Sequence, residues 1–109
     1  MARGLEPVNF AAMVAKLRRD APPLLPVRVY VRAKLDGGWG ETSLILCGKG
    51  RPMSFVIAIK RSLRVTMRDT LIHEWAHALT WAEGEHVETD HGDAWALAYG
   101  RVYRVLIEP

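Results

Sequence analysis

The sequence predicts an α+β fold in one domain over residues 1–109, with an N-terminal helix, a three-stranded, mainly antiparallel sheet and two further helices. Three observations lead to this prediction. Apolar residues recur every three or four positions near the start, alternate with polar residues in the next stretch, and return to a helical period later. Short glycine-rich segments separate the strands, which favours hairpins over crossover connections. A length of 109 residues suits a single core.

The first helix is predicted from about Asn9 to Asp20, on the spacing of its apolar residues, which are Phe10, Met13, Val14 and Leu17. Three prolines within the segment 21–26 end it, because proline lacks the amide hydrogen that a helix interior needs. Strands are then predicted over Val27–Leu35, Thr42–Cys47 and Met53–Ile59. We expect the third strand at a sheet edge, where it could pair with an extended peptide.

Two helices are predicted in the second half of the chain. The period changes to 3.6 from about Asp69 to Ala82, with Thr66 or Arg68 near the helix start. Its apolar arc consists of Leu71, Ile72, Trp75, Ala78 and Leu79. Gly92 or Asp93 begins the last helix, which carries Trp95, Tyr99, Val102 and Leu106 on one face.

The charge of the chain is mildly basic. Fifteen Lys and Arg stand against twelve Asp and Glu, giving a net charge of +3, and eleven of the basic residues are arginines. Arginine binds phosphates well, so DNA is allowed as a partner. The basic residues are nevertheless dispersed along the sequence, which favours a solvated surface over a dedicated DNA footprint.

The single cysteine and the absence of long apolar runs indicate the cellular compartment in which the protein is expected. Cys47 has no second cysteine to pair with, and its position after an apolar stretch indicates a strand residue rather than a nucleophile. The N-terminus lacks the apolar run of a signal peptide, and no stretch reaches the roughly 18 apolar residues that span a membrane. We therefore expect a cytoplasmic protein without a membrane partner.

The sequence His73-Glu74-Trp75-Ala76-His77 fits the HExxH pattern of zinc metalloproteases. At 100° per residue the two histidines lie about 40° apart on the helix, on the side opposite the apolar arc. Two imidazoles one turn apart can bind one Zn²⁺, and Glu74 lies where it can serve as general base. On the same helical wheel Trp81 is expected to line the cleft. Trp39, in a glycine-rich turn, could gate the cleft or stack on a base, but a core position is the favoured expectation.

A catalytic zinc takes three protein ligands and keeps one position for water. The third ligand is to be sought among the polar residues that follow the helix, which are Glu83, Glu85, His86, Glu88, Asp90, His91 and Asp93. His91 is favoured because it precedes Gly92 and lies at the start of the last helix, near Trp95. His86 has no flanking feature that would hold it and is expected to be a surface residue. Asp90 or Asp93 could orient a ligand, and Asp93 could equally cap the helix.

The stretch from Phe55 to Arg104 resembles SprT-like (Spartan-type) zinc metalloproteases in three features. A strand with the pattern Ile57-Ala58-Ile59-Lys60-Arg61-Ser62-Leu63 precedes the motif helix. The motif itself, Thr70-Leu71-Ile72-His73-Glu74-Trp75-Ala76-His77-Ala78, is similar to the family's T-L-x-H-E-hydrophobic-x-H-A. Asp90-His91-Gly92, followed by Trp95, is similar to the family's H-G-x-x-aromatic start of the next helix. The resemblance covers about half the chain closely.

The resemblance implies that His73, His77 and His91 bind zinc and that Glu74 acts as general base and acid. It implies an endopeptidase that hydrolyses peptide bonds with a metal-activated water, with DNA-associated proteins as one class of substrate. Many relatives continue into a zinc ribbon or DNA-binding region, whereas this sequence ends at Pro109. The resemblance therefore gives only weak support for recruitment of this chain to DNA. Two alternatives stay open: a non-proteolytic domain that zinc stabilises for binding a partner, and a DNA-associated accessory domain.

Overall fold

The structure, a computed structural model, describes residues 7–81 and 92–107. Three helices and three strands follow in the order α1 (Pro7–Asp20), β1 (Val27–Arg32), β2 (Gly40–Leu46), β3 (Pro52–Lys60), α2 (Arg64–Thr80) and α3 (Asp93–Ile107). The α+β class and the order of the elements are as predicted. None of the described helices is both long and apolar enough to cross a membrane.

The sheet is mixed, with the strand order β1-β3-β2. β2 and β3 form an antiparallel hairpin, closed at its turn by the bond from the Cys47 amide to the Arg51 carbonyl. β1 lies on the other side of β3 and runs parallel to it, with Val27 opposite Phe55. The prediction of a mainly antiparallel sheet is therefore wrong for one of the two strand pairings.

The reason for this difference lies in the connection between β1 and β2. Its glycines Gly37 and Gly38 have φ values of 77° and 85°, a region that residues with side chains rarely adopt. The connection does not fold β2 back onto β1 as a hairpin would. It carries the chain past the position of β3, and β3 later enters the sheet between the two earlier strands.

The central position of β3 also corrects the expectation that Met53–Ile59 is an edge strand. Phe55, Ile57, Ala58 and Ile59 are all buried, so this strand lacks the simple alternation of a strand with one wet face. Phe55, Ile57 and Ile59 belong to the core, whereas Ala58 lies on the other face, between Tyr30 and Glu41 of the two neighbouring strands. The edge strands of the described sheet are β1 and β2.

α2 begins at Arg64, five residues before the predicted start at Asp69. Its N-cap residue, Leu63, has extended backbone and makes no side-chain capping bond, so the start of this helix carries no capping signal. Leu63 and Val65 are also exposed, so the first turn does not continue the apolar arc. α1, which begins at Pro7, agrees with its predicted range to within two residues.

The core lies between one face of the sheet and the three helices. Its largest fully buried side chains are Leu17, Ile57, Ile59, Leu71, Ile72, Trp75 and Val102. Trp75 stands at the junction of α1 and α2, and its Nε1 donates a 2.8 Å hydrogen bond to the Ala21 carbonyl. The buried indole N–H is thereby satisfied, and the predicted structural role of Trp75 is confirmed. Trp75 thus fixes α2 against the core, and the half-buried His73 and His77 of the same motif lie on another side of the helix.

Candidate active site

His73 and His77 lie one turn apart on α2, and both are half-buried. Their Nε2 atoms are 3.2 Å apart, and the ring planes are inclined by 72°. The spacing of four residues predicts such a pair, because residues i and i+4 are neighbours on one helix face. The core residues of the same helix, Leu71, Trp75 and Ala78, are buried, so the two imidazoles stand away from them.

The distance between the two Nε2 atoms fits a shared zinc ion. Two nitrogens at 2.0–2.1 Å from one tetrahedral Zn²⁺ would be separated by about 3.3 Å. The observed separation in the His73–His77 pair is 3.2 Å. One neutral ring can also donate a hydrogen bond to the other at this distance. The separation of the two nitrogens therefore suits two ligands of one metal ion.

Glu74 follows His73 on α2, and its side chain is buried, with 6% of its surface exposed. Thr42 of β2 lies opposite, with Oγ1 at 2.6 Å from Oε1 of Glu74 and at 3.1 Å from its backbone carbonyl. The hydroxyl donates to the carboxylate in the shorter contact, since an ionised acceptor forms the stronger hydrogen bond. This bond fixes the carboxylate between the sheet and the histidine pair.

Gly40, the first residue of β2, allows α2 to approach the sheet closely at this point. A Cβ at position 40 would lie 2.5 Å from Cγ2 of Thr70 and 3.1 Å from Cγ of Glu74. Side-chain carbons do not approach so closely in folded proteins, so only glycine fits here without displacement. The contact between Gly40 and α2 brings Thr42, two residues further along β2, within reach of Glu74.

α3 covers the histidine pair with Trp95. Its indole Nε1 donates to the backbone carbonyl of His73 at 3.3 Å. Its ring lies 5.0 Å from the His73 ring and 5.7 Å from the His77 ring, measured between centroids. Tyr99, one turn later on α3, packs against Trp95 at 5.2 Å. The aromatic residues therefore restrict the rotation of both imidazoles, as preorganised ligands require.

An open cleft of about 530 Å³ lies next to His73 and Glu74. Its other walls come from the start of β2 and from α2 and α3, and include Trp39, Gly40, Thr70 and Tyr99. Trp39 is 54% exposed, so the expectation that it plugs the core is wrong. Trp39 lies at the rim of the cleft, and the ammonium group of Lys60 lies 5.1 Å from the centroid of its ring.

Trp81 also differs from the prediction that it lines the cleft. α2 ends at Thr80, and Trp81 has extended backbone with φ −68° and ψ 116°. The helical wheel therefore does not apply to this residue. Its ring packs against Phe55 of β3 with the centroids 5.8 Å apart, and it extends the core instead.

The predicted third ligand, His91, lies outside the residues that the structure describes, as do Glu83, Glu85, His86, Glu88 and Asp90. Asp93, the remaining candidate, is exposed and is the first residue of α3. Within residues 7–81 and 92–107, no three His, Cys, Asp or Glu side chains form a group that could hold a metal ion. The described part of the site thus consists of His73, His77 and Glu74.

Two residues of the site were not found from the sequence, Thr42 and Gly40. The hydroxyl of Thr42 reaches a residue 32 positions later, and no local pattern reports a contact between a strand and a distant helix. Gly40 did carry a signal, because it follows Trp39 in a turn with two other glycines. A glycine that begins a strand often marks a close approach of other atoms to the backbone.

Comparison of this chain with protein-family models, with curated proteins and with solved structures finds no match. The resemblance to SprT-like metalloproteases therefore rests on the sequence motifs alone.

Proposed function

We propose that this chain is a zinc-dependent endopeptidase of the SprT-like type, in which His73, His77 and His91 bind the metal and Glu74 is the general base. The observation that carries the proposal is the 3.2 Å approach of two imidazole nitrogens beside a carboxylate that lines an open cleft. A ligand pair and a base next to a space for substrate are the parts that metal-assisted peptide hydrolysis requires.

When bound, zinc would polarise the scissile carbonyl and lower the pKa of a water molecule to about 7. Glu74 would accept the proton of that water on Oε2 and deliver it to the leaving amine. Thr42 would keep Oε1 engaged, so that the carboxylate does not rotate during the transfer. Trp95 would hold the ring of His73 through the bond to its backbone and the contact between the rings.

The substrate would be an extended peptide chain. β2 is an edge strand of the described sheet, and its first residue, Gly40, lines the cleft. A peptide paired with this edge would be held through its backbone, which gives little selection among side chains. DNA-associated proteins are one class of substrate that the sequence resemblance implies. In the cytoplasm, which we propose as the compartment, Cys47 would stay reduced.

The test is zinc content and casein cleavage, compared between the parent chain and Glu74→Gln. We expect about one zinc per chain in both, and cleavage by the parent only, because the amide of Gln cannot accept the proton. Glu41→Gln is the matched control, since Glu41 is an exposed carboxylate on β2. It should cleave casein like the parent.

Undiminished cleavage by Glu74→Gln would contradict the role of Glu74. A full complement of zinc without cleavage by any variant would contradict the peptidase and favour the zinc-stabilised binding domain. Absence of zinc from a folded parent chain that was purified with zinc would contradict the metal site itself.

A further inference from the structure

The strand β2 has one backbone edge that no described element covers, which we call the open edge of β2. β3 pairs with one side of β2, and the strand order leaves the other side open in the described sheet. Folded proteins usually protect such an edge with charged side chains, prolines or bulges, because its amides and carbonyls can pair with another chain. The segment 42–47 contains neither a charged residue nor a proline. The register shift between Ile45 and Leu46 adds a residue to β3, so β2 itself stays regular.

The opposite edge of the sheet, on β1, carries the protection that β2 lacks. Two charged residues, Arg28 and Arg32, are exposed on this strand, and Pro26 precedes it. Arg18 of α1 also donates a 2.9 Å hydrogen bond to the carbonyl of Val27, which occupies one acceptor of β1. The two edge strands of the described sheet therefore differ, and β2 is the one suited to pairing with another chain.

Apolar side chains are exposed where the hairpin of β2 and β3 ends. Ile45 is 39% exposed, and Leu46 and Met53 are each 51% exposed. None of the three belongs to the core or to the residues packed against it. An added Cβ at Gly48 or Gly50 of the turn would have no heavy atom within 4 Å, so the turn extends into open space. Exposed apolar side chains grouped in this way are typical of a surface that another molecule covers.

Charges of opposite sign stand at equal distances from Ile45 along the chain. Glu41 lies four residues before it and Lys49 four residues after it, and both are exposed. Neither forms an ion pair with a described residue. In an antiparallel pair of identical strands, residues that lie opposite each other are equally far from the two-fold axis. An axis at Ile45 would therefore bring Glu41 of each copy next to Lys49 of the other.

We propose that the open edge of β2 pairs with the same edge of a second copy of this chain, antiparallel and with the two-fold axis at Ile45. The two Ile45 side chains would meet on the axis, and Leu46 would lie opposite Leu44. An ion pair between Glu41 and Lys49 would close each end of the interface. Apolar pairs and opposite-charge pairs across antiparallel strands both stabilise a sheet. Each contact would occur twice, because a two-fold interface uses the same surface on both copies.

The side chains favour this register over the longest one. An axis at Ser43 would pair all of Gly40–Leu46 with the second copy, but it would set Glu41 opposite Ile45 and leave Lys49 without a carboxylate. A different protein would have to supply the same order of basic, apolar and acidic residues, which a second copy already carries. Pairing over the segment 43–47 buries less than the roughly 1,200 Å² of a stable complex, so we expect a weak dimer.

The open edge of β2 begins beside the cleft, because Gly40 lines the cleft and Glu41 follows it. A dimer would occupy the edge on which we place the substrate peptide, so cleavage per chain should fall as the protein concentration rises. This consequence rests on the proposed function. The dimer itself does not, because none of Glu41, Ile45 and Lys49 lines the cleft.

The first test measures dimerisation by sedimentation velocity over a range of protein concentrations. We expect a reversible equilibrium between monomer and dimer for the parent chain. Glu41→Lys and Lys49→Glu should each weaken dimerisation by about 5-fold or more, because each change sets like charges together at both ends of the interface. The double variant restores opposite charges and should dimerise like the parent.

The matched control for the double variant combines Glu41→Lys with Lys34→Glu. It has the same net charge but should dimerise weakly, since Lys34 lies outside the strands. Thermal melting of each variant establishes that it is folded. Equal dimerisation by the double variant and this control would overturn the pairing of Glu41 with Lys49. A parent chain that stays monomeric up to about 1 mM would overturn the dimer itself.

The second test determines the register with a disulfide. In a chain that carries Cys47→Ser, Ile45→Cys should form a covalent dimer on mild oxidation, because opposite residues of an antiparallel pair have Cα atoms about 4.5–5.5 Å apart. Ser43→Cys in the same background is the control. In the proposed register the two copies of residue 43 lie about 13 Å apart along the strands, too far for a disulfide. Faster cross-linking through residue 43 than through residue 45 would overturn the register.

Cleavage assays separate the dimer from the peptidase. Glu74→Gln should dimerise like the parent while it fails to cleave casein, so each proposal can fail alone. If dimers form and cleavage per chain does not fall with concentration, the substrate does not use the open edge of β2, and the dimer stands. Casein cleavage is measured well below the concentration at which dimers form, so Glu41→Gln remains a valid control there.

Discussion

The hydroxyl of Thr42 lies 2.6 Å from Oε1 of Glu74 and joins an edge strand of the sheet to the helix that carries both histidines. The carboxylate is buried, so its position depends on this strand as well as on its own helix. A general base must keep its geometry while a proton moves, and this bond restricts the rotation of the carboxylate. Thr42 is therefore a positioning residue of the proposed reaction.

Replacing Thr42 with Val is expected to lower kcat about 10-fold or more while zinc content stays the same. A hydrogen bond to a charged group contributes about 1.5–3 kcal/mol, and each 1.4 kcal/mol corresponds to a factor of ten in rate. KM should change little, because the hydroxyl contacts the enzyme's own carboxylate. Thr42→Ser keeps the hydroxyl and should restore most of the activity. Equal kcat values for the Val and Ser variants would show that the bond has no part in catalysis.

The zinc affinity of two variants should show which of the two histidines outside the described residues is the third ligand. His91→Ala is expected to lower zinc affinity by more than about 100-fold, since even the loss of a residue that supports a ligand costs about 10- to 100-fold. His86→Ala removes a histidine five positions away and should keep the metal. A competition assay with a chromogenic chelator measures both. The opposite pattern would move the third ligand to His86.

Gly40→Ala is expected to destabilise the fold. The added Cβ would meet Cγ2 of Thr70 at 2.5 Å, and overpacking of this kind costs about 1–3 kcal/mol. Tm should therefore fall by about 4 °C or more. Gly48→Ala is the control, because no heavy atom lies within 4 Å of its added Cβ.

A second variant tests the cause of that destabilisation. Thr70→Ser removes the methyl group that the added Cβ at position 40 would meet, so combining it with Gly40→Ala should recover part of the lost stability. If the double variant is no more stable than the sum of the two single changes predicts, the close contact is not the reason.

Alkylation of Cys47 should depend on the fold. Backbone amides at Lys49, and to a smaller extent at Arg51, donate to the sulfur and hold the pKa of this thiol below its usual range. The thiolate is the reactive form, so iodoacetamide should modify the folded chain at a lower pH than the chain in urea. The folded chain binds fewer protons in the range between the lowered pKa and the usual value of about 8.5, so the free energy of unfolding should rise with pH there. Cys47→Ser should abolish this rise in stability with pH. Equal pH profiles for alkylation of the folded and the unfolded chain would show that the fold does not lower the pKa of Cys47.

Features that repeat along one element could be predicted from the sequence. The burial of Leu71, Ile72 and Trp75 follows from their positions on one arc of α2, and the proximity of His73 and His77 follows from their spacing. Periodicity reports which face of a helix is covered and which residues share the other face. It is therefore sufficient to predict that the two imidazoles are neighbours on one face of α2.

Features that depend on which elements meet could not be predicted in this way. The pairing of β1 with β3 is set by the path of the segment 33–39, and the turn glycines alone did not reveal it. The contact of Thr42 with Glu74 joins a strand to a helix 32 positions later, and no pattern along a single element reports such a contact. The prediction for Trp81 is wrong for a simpler reason. α2 ends one residue before it, so the helical wheel does not apply to this position.

The parallel pairing of β1 with β3 has a consequence for the order in which the chain folds. The hairpin of β2 and β3 closes over a short loop, whereas Val27 pairs with Phe55 only after the 28-residue span between them has closed. The hydrogen bond between Trp75 and Ala21 spans a still longer stretch of sequence. We therefore expect the hairpin to form before β1 pairs with β3, and the contact between Trp75 and Ala21 to form later still.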